Sequence, residues 1–365
     1  MTTPTILLNP GPVTLTDRVR SAMCKADWCH REPEFAALTQ SINARLARVY
    51  DAAEDDYASV LLTGSGTLAV EAMLSSFAPV RGRTLIVANG VYGERMAGML
   101  RAMQRPSELL SAEWDAPIDL AAVEEALVAD PGISHVATVH HETTTGRLNA
   151  LGDLGALCGK LGRALLLDAV SSFGAEEIGF RDWNLEAVAG TANKCLHGVP
   201  GLSFVLARRE ALAETRDPPN SVYLDLRRYY SAQHGDGYSP FTQAVQVAFA
   251  LSAALDEFHE AGGWRQRRRR YGEIGNAVRE CLRGLGVATL IPEEDYSSVM
   301  CSYRIPPGVN YDALHGSLKA RGFVIYAGQA RLSECIFRIA HMGAISDGDV
   351  DRLNRALTEF FNGAR

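Results

Sequence analysis

The stretch ALLLDAVSSFGAEEIGFRDWNLEAVAGTANKCLHGVPG, residues 164–201, holds two strand-like apolar runs, each followed by polar residues and a loop. The first run, Ala164–Asp168, ends in a carboxylate, and the second, Ala187–Thr191, is followed closely by Lys194. Both runs are apolar on both faces, which is typical of strands buried in a parallel sheet. Open α/β folds bind ligands at the carboxyl edge of such a sheet. We therefore expect Asp168 and Lys194 to lie at a ligand-binding edge.

Similar apolar runs alternate with helical patterns over the first two thirds of the chain, which indicates βα units. The other predicted strands are Ser59–Thr63, Thr84–Ala88, His135–His140 and Ser203–Ala207. The predicted helices between them lie around Thr67–Phe77, Tyr92–Met103, Leu120–Ala129 and Leu151–Leu161. This alternation predicts an α/β fold with a largely parallel sheet.

A second, smaller domain is predicted after a helical pattern that runs from Ala244 to the pair Gly262-Gly263, where a helix end is expected. The elements predicted beyond this point are helices at Trp264–Arg283, Tyr311–Arg321 and Asp347–Phe361 and strands near Val299–Ile305 and Ile336–Ala340. We predict a large α/β domain over residues 15–260. Residues 1–14 and 261–365 are predicted to form a small α+β domain.

The overall charge argues against a polyanionic partner. Lys and Arg number 36 against 43 Asp and Glu, for a formal net charge of −7. Such a field repels nucleic acid and anionic membranes, so neither is expected as a partner. The basic run Arg265–Arg270 is interpreted as a solvated helix face.

The cysteines and the N-terminus bear on the compartment. The seven cysteines include no C-x-x-C pair, which argues against a disulfide framework and a zinc knuckle. No export signal or long apolar span is visible, so a cytoplasmic protein is expected.

The segment Gly64-Ser65-Gly66-Thr67 lies between a predicted strand and a predicted helix. Free backbone N–H groups at a helix N-terminus favour an anion, so we interpret the segment as a phosphate-binding cup. A dinucleotide fingerprint is a weaker match, because the next strand ends in Asn89-Gly90 and not in an acid. A Walker A loop is excluded because no Gly-Lys-Ser/Thr follows. A tight glycine turn without a ligand remains an alternative.

The cup, the strand-end Asp168 and the loop Lys194 together match what pyridoxal phosphate requires. The cofactor needs a phosphate site, a partner for its pyridinium nitrogen and an amine that forms a Schiff base. None of the three motifs indicates the cofactor alone, but their conjunction does.

Seven motifs then resemble those of the class V aminotransferases of fold type I, in the order found in that family. They are NPGP (Asn9–Pro12), GSGTLAVEA (Gly64–Ala72), NGVYGER (Asn89–Arg95), HHETTTG (His140–Gly146), DAVSSFG (Asp168–Gly174), ANKCLHGVPG (Ala192–Gly201) and FRIAHMG (Phe337–Gly343). The resemblance covers nearly the whole chain. It implies a large domain with a mostly parallel seven-stranded sheet and a smaller C-terminal α+β domain.

The resemblance also implies roles for the residues around the cofactor ring. Lys194 forms the Schiff base and moves the proton, and Asp168 pairs with the pyridinium nitrogen. Tyr92 stacks on the ring, although a half-buried turn tyrosine is the alternative. Thr143 lies near the phenolic oxygen.

The phosphate, by the same resemblance, is held by Ser65, Gly66 and Thr67, with Thr191 as a further candidate. Thr242 resembles the residue that reaches the phosphate from the neighbouring subunit, which implies a homodimer with shared sites. The family usually has Ser-Pro-Thr-His where this chain has Pro240–Gln243.

Arg338 is the first candidate for binding the substrate's acidic group, because an unpaired guanidinium in an apolar strand is costly. An internal salt bridge is the alternative. Arg31 is a second candidate. The activity implied is transfer of the amino group of 2-aminoethylphosphonate to pyruvate, giving phosphonoacetaldehyde and alanine, in phosphonate metabolism.

Other functions stay open. Serine, alanine with glyoxylate, or a hydroxylated aminophosphonate would keep the cofactor. A PLP-dependent lyase or desulfurase would need a reactive thiol on a mobile loop, whereas Cys301 and Cys335 lie in strand-like runs, which argues against this function. A non-catalytic nucleotide-binding module would use only the glycine-rich turn.

No metal is expected. His140, His141 and His197 lack a carboxylate or cysteine at usable spacing. Cys195, next to the lysine, is interpreted as packing.

Overall fold

The computed structural model describes residues 5–214 and 220–363. The elements before residue 245 are, in chain order, β1 (Ile6–Leu7), α1 (Asp17–Ala22), α2 (Pro33–Ala47), β2 (Tyr57–Thr63), α3 (Gly66–Phe77), β3 (Arg83–Ala88), α4 (Val91–Ala102), β4 (Ser107–Ser111), α5 (Leu120–Ala129), β5 (Ile133–Val139), β6 (His141–Glu142), β7 (Arg147–Leu148), α6 (Gly152–Lys160), β8 (Ala164–Asp168), β9 (Leu185–Thr191), β10 (Leu202–Arg208), α7 (Arg209–Ala213) and α8 (Leu226–Gly235). The later elements are α9 (Val245–Glu260), α10 (Gly263–Gly284), β11 (Met300–Arg304), α11 (Tyr311–Ala320), β12 (Phe323–Val324), β13 (Tyr326–Ala327), β14 (Ile336–Ala340) and α12 (Asp347–Gly363).

The central sheet has seven strands in the order β2-β10-β9-β8-β5-β3-β4. Strand β10 runs antiparallel to both of its neighbours, and every other adjacent pair is parallel. The predicted mostly parallel seven-stranded sheet is therefore present. The order makes β8 and β9 neighbours, so the residues that follow them meet at one edge.

The sheet is buried on both faces. Leu165 and Leu167 of β8 belong to one hydrophobic cluster, whereas Leu166 between them belongs to the cluster on the opposite face. Side chains of a strand alternate between faces, so a continuous apolar run is what two buried faces require.

The sequence prediction missed the edge strand β4, with sequence SELLS. Its middle residue Leu109 is 42% exposed, and a half-exposed edge strand lacks the continuous apolar signal of a central one. The predicted strand His135–His140 is shifted along the chain, because β5 begins at Ile133 and ends at Val139.

The C-terminal elements form a separate core. Strands β11, β14 and β13 make an antiparallel sheet that packs with residues of α10, α11 and α12. The N-terminal strand β1 joins this core by pairing in parallel with β12, Ile6 opposite Phe323. The division at residues 14/15 and 260/261 stays a prediction. None of the helices in the described ranges combines the length and apolar character that a membrane crossing demands.

Candidate active site

Lys194 lies in the loop that follows β9, and its side chain packs against the NPGP loop near the N-terminus. Gly11 has a φ of +100°, and a Cβ built on it would lie 2.6 Å from Lys194 Cδ and 2.9 Å from Nζ. Such separations are far below ordinary van der Waals contact, so a side chain here would displace the lysine, and the positive φ also favours glycine. The N-terminal loop thus forms one wall around the lysine.

Asp168 ends the neighbouring strand β8 and is buried. Its Oδ1 accepts the Val170 N–H at 2.9 Å, whereas Oδ2 has no hydrogen-bond partner in the part of the chain that the structure describes. Burial raises the pKa of this carboxyl to about 6, and the charges of Arg95 and Lys194 act in the opposite direction. A cation near Oδ2 would restore the ionised form.

Burial lowers the pKa of the Lys194 ammonium from 10.5 to about 8, partly opposed by Cys195 and Asp168, while Arg338 lowers it further. A fraction of the amine is therefore neutral near neutral pH. Only the neutral amine is a nucleophile or a proton acceptor.

The predicted phosphate cup lies at the N-terminus of α3. Ser65 is its N-cap residue, and Ser65 and Thr67 are exposed. The backbone N–H groups of Ser65, Gly66 and Thr67 donate to no acceptor among the described residues. Unpaired N–H groups at the positive end of a helix dipole bind anions.

A small cavity joins the cup to the carboxylate of Asp168. It is lined by Gly66, Thr67, Val70, Tyr92, Arg95, Met96, Met99, Asp168 and Val170. The Arg95 guanidinium lies over the Tyr92 ring, 4.6 Å from its centroid. The cavity thus brings Tyr92, the cup and Asp168 together.

Two threonines lie close to these groups. Thr191 is adjacent to Gly66 of the cup, where an added Cβ would lie 3.4 Å from Thr191 Cβ. The Thr191 hydroxyl donates to Asn193 Oδ1 (2.8 Å). Thr143 is buried, and its carbonyl accepts a hydrogen bond from Arg338 Nη1 (2.8 Å). The Thr143 hydroxyl has no partner within residues 5–214 and 220–363.

Arg338 is buried on β14. It makes no ion pair with any Asp or Glu of the described ranges; its hydrogen bonds go to the carbonyls of Ala327 (2.9 Å) and Thr143 and to the side chain of Gln329 (3.3 Å). Desolvation lowers the pKa of this guanidinium, opposed by Tyr92, Tyr311, Glu142 and Tyr326 around it. Arg338 therefore does not form the internal salt bridge that was the alternative with any Asp or Glu of the described ranges.

Glu142 is a site residue that the sequence prediction missed, although it lies within the HHETTTG motif. It is fully buried, and its Oε2 accepts the N–H of Tyr92 in the first turn of α4 (3.3 Å). Its Oε1 accepts the hydroxyl of Thr144 (2.6 Å). Burial raises the pKa of Glu142 to about 7, opposed by the Thr144 hydrogen bonds. Its carboxylate ties the motif loop to the helix that carries Tyr92.

Thr242 and Arg31 lie apart from Lys194 and Arg338. Thr242 is exposed, in a loop whose next residues hydrogen-bond to Thr63 at the end of β2. Arg31 donates to the carbonyls of Ser239 (3.2 Å) and Pro240 (3.5 Å). The structure thus brings Arg31 to the loop of Thr242, and in the described ranges neither residue contacts Lys194, Asp168 or Arg338.

The histidines near the lysine are buried and hydrogen-bonded. Burial lowers the pKa of His140 and of His141 to about 3. His197 accepts the Gly343 N–H (2.9 Å) and faces the Tyr271 hydroxyl (2.5 Å). No group of three or more His, Cys, Asp or Glu side chains in the described ranges is arranged to bind a metal ion. Cys195 is buried, with Sγ 3.6 Å from Met342 Sδ.

Comparisons with known proteins agree on one family. The family model described as Aminotransferase class-V matches residues 22–345. A protein named 2-aminoethylphosphonate--pyruvate transaminase from Syntrophobacter fumaroxidans is 38% identical over 357 residues, which cover 97% of this chain and 95% of that protein. A protein of the same name from Burkholderia thailandensis is 40% identical over 345 residues, 93% of this chain and 92% of that protein.

A solved structure shares the fold. The alanine--glyoxylate aminotransferase from Nostoc sp. superposes with a TM-score of 0.91 and 25% identity, over 98% of this chain and 96% of that chain.

Proposed function

Because the chain belongs to the class V aminotransferase family, we propose that it transfers the amino group of 2-aminoethylphosphonate to pyruvate, giving phosphonoacetaldehyde and alanine. The family resemblance and the fold type expected from the motifs are confirmed. The observation that carries the choice of substrates is the identity of 38 and 40% to proteins of that name over nearly the whole chain.

Membership of this family implies pyridoxal 5'-phosphate as the cofactor, and the residues present suit it. The unpaired N–H groups of the cup would hold the phosphate, together with the side chains of Ser65 and Thr67. The unpaired Oδ2 of Asp168 would face the ring nitrogen, and Tyr92 would cover the ring. The bound cofactor supplies an aldehyde that joins to amines and a protonated ring that accepts electrons.

Lys194 is the proposed attachment point and the proton carrier. Its side chain packs against the Gly11 loop, and its lowered pKa leaves part of the amine neutral. When the amine is free of the cofactor, Nζ can take a proton from one carbon and return it to another. A carboxylate at Asp168 keeps the site negative beside the ring, which favours a protonated ring nitrogen.

Arg338 is the proposed anchor for the acidic groups of both substrates. It is a buried cation with unused donors, and it is close enough to Lys194 to lower the pKa of that amine. A guanidinium binds both phosphonate and carboxylate oxygens through charge-assisted hydrogen bonds. Arg31 remains a second proposal for this role, to be tested by its own substitution.

The test is alanine formation by the purified protein with 2-aminoethylphosphonate and pyruvate. Serine, alanine with glyoxylate, a hydroxylated aminophosphonate and cysteine make up the comparison panel. We expect the highest kcat/KM with 2-aminoethylphosphonate. A higher value with another donor would replace the substrate but keep the enzyme class, and sulfide release from cysteine would indicate a desulfurase.

The variant that tests Lys194 as the attachment point is Lys194→Ala, and Lys160→Ala, at an exposed lysine, is its control. Borohydride reduction followed by peptide mapping should label Lys194 in the wild-type protein and nothing in the variant. A label elsewhere would refute the assignment of the lysine.

We also propose a homodimer in which Thr242 reaches the phosphate of the neighbouring subunit. The exposed position of Thr242 supports this. Sedimentation should give the mass of a dimer, and Thr242→Val should weaken cofactor binding without changing that mass. A reducing cytoplasm is the proposed compartment, because all seven cysteines are free thiols.

A further inference from the structure

The guanidinium of Arg338 has already committed most of its hydrogen-bond donors within the protein. Of its five N–H groups, Nε donates to the Ala327 carbonyl (2.9 Å), and Nη1 donates to the Thr143 carbonyl (2.8 Å) and to Gln329 Oε1 (3.3 Å). Nη2 has no hydrogen-bond partner in the described ranges, and this atom is not fully buried. Arg338 therefore offers an incoming anion one free nitrogen, Nη2. An anion could bind to two nitrogens of the guanidinium only if Nε or Nη1 gave up a hydrogen bond within the protein.

Gln329 lies against this guanidinium, and the hydrogen bond from Arg338 fixes the orientation of the Gln329 amide. Arginine can only donate, so the glutamine atom 3.3 Å from Nη1 must be the oxygen. The amide nitrogen Nε2 then has both N–H groups unused within the part of the chain described, and it too is not enclosed. Two unpaired donors, Arg338 Nη2 and Gln329 Nε2, thus belong to side chains that touch each other.

The backbone around Gln329 is anchored. Its carbonyl accepts the Leu332 N–H (2.9 Å), and the N–H of the preceding Gly328 donates to the Ile336 carbonyl on β14 (2.9 Å). The amide is therefore presented from a fixed turn beside the strand that carries Arg338. Donors held by packed backbone bind an anion with little loss of conformational entropy.

The two substrates of the proposed reaction place different demands on this pair of donors. The carboxylate of alanine or pyruvate has two oxygens and is bonded directly to the reacting carbon. A phosphonate has three oxygens and more negative charge, as in a phosphate group. In 2-aminoethylphosphonate it also lies one methylene farther from the reacting carbon. The third oxygen needs a donor besides Nη2.

We propose that Gln329 is a specificity-determining residue whose amide N–H groups bind the phosphonate, while Arg338 alone holds the carboxylate of the other substrate. The inference rests on the proposed function, because it assigns the two substrates to different sets of donors. One active site thereby binds two anions of different size with the same arginine.

The two half-reactions separate the roles. In the holoenzyme, the reaction with 2-aminoethylphosphonate and the reaction with alanine are followed separately by the absorbance of the bound cofactor. For Gln329→Met, which keeps the volume and loses the amide, kcat/KM should fall by about tenfold to a hundredfold with the phosphonate. The value with alanine should change by less than about threefold, in the range of a neutral contact.

Binding of unreactive anions provides a readout independent of turnover. Calorimetry on the holoenzyme should show that Gln329→Met weakens binding of ethylphosphonate and leaves binding of propionate unchanged. Gln40→Met, an exposed glutamine on α2, serves as the control and should match the wild type in every measurement.

An equal fall in both half-reactions, or no fall in either, would overturn the role of Gln329 and leave the proposed function intact. A wild-type enzyme that reacts with alanine but not with 2-aminoethylphosphonate would overturn the proposed function and this inference together.

Discussion

Gly11 and Lys194 are in direct contact, and the place where a Cβ of residue 11 would stand is already taken by the lysine side chain. Gly11 precedes the first strand of the large sheet in the sequence, whereas Lys194 follows its strand β9. The contact explains why a glycine with a left-handed backbone is needed in the NPGP loop.

Gly11→Ala is expected to displace the lysine. The added methyl group would lie 2.6 Å from Lys194 Cδ, at a backbone conformation that alanine rarely adopts. We expect turnover to fall by at least about tenfold, because small misplacements of reacting groups are costly. Absorbance of the bound cofactor and initial rates measure the effect.

Gly98→Ala is the matched control, because nothing lies within 4 Å of a Cβ at that helical position. It should be neutral or slightly stabilising. Normal cofactor binding and turnover in Gly11→Ala would show that the lysine can move aside without cost.

Lys194→Met should stabilise the cofactor-free protein. The pKa of Lys194 falls from 10.5 in the unfolded chain to about 8 in the fold, so the charged form is destabilised by folding. At pH 7 the variant should gain roughly 1–3 kcal/mol in its free energy of unfolding. The wild-type protein should gain stability between pH 8 and 10.5, where the unfolded state binds more protons, and the variant should lack this gain.

Thermal unfolding against pH measures this difference. Lys160→Met, at an exposed position paired with Glu124, should not raise the melting temperature. A melting temperature of Lys194→Met at or below that of the wild type at pH 7 would refute the claim that burial of the charged lysine destabilises the fold.

Glu142→Gln should flatten the acid side of the stability profile. The pKa of Glu142 rises from 4.5 to about 7 on folding because the carboxyl is buried. Between these values the folded state binds the additional proton, so stability of the cofactor-free wild type falls as pH rises, by up to roughly 3 kcal/mol. Asp168, whose pKa rises from 3.8 to about 6, adds a similar slope that the variant keeps.

Melting temperatures between pH 4.5 and 7 give the slopes. Glu125→Gln, on the exposed face of α5, should retain the wild-type slope. Identical slopes for Glu142→Gln and wild type would mean that folding does not raise the pKa of this carboxyl.

Arg338→Lys should weaken both half-reactions. Lysine keeps the charge but loses the planar donors that bind the Thr143 and Ala327 carbonyls and that are proposed to bind the substrate. We expect kcat/KM to fall by about a hundredfold with the phosphonate and with alanine, from the loss of one or two charged hydrogen bonds. Arg331→Lys, exposed on the neighbouring turn, should leave both values near those of the wild type.

The meeting of Asp168 and Lys194 could be predicted because it follows from a local rule. Asp168 ends one strand and Lys194 follows the next, both strands are buried on both faces, and parallel neighbours place their carboxyl ends together. The cup could be predicted for a similar reason, since its strand, glycines and helix are contiguous.

The contacts of Gly11, Glu142 and Gln329 could not be predicted from the sequence. Each depends on where a distant segment returns: the N-terminal loop onto the lysine, the motif loop onto the start of α4, and a turn onto Arg338. Periodicity reports local structure and carries no information on such returns. The same limit applies to β4, whose half-exposed residues have no clear period.

The pairing of β1 with β12 also has a consequence for biosynthesis. Ile6 is synthesised before every strand of the large sheet, but its partner Phe323 is synthesised after all of them. The loop that carries Gly11 follows β1 directly, so the pairing of β1 with β12 can anchor this loop only after β12 has been made. The wall that this loop forms around Lys194 is therefore anchored only after all strands of the large sheet have been synthesised.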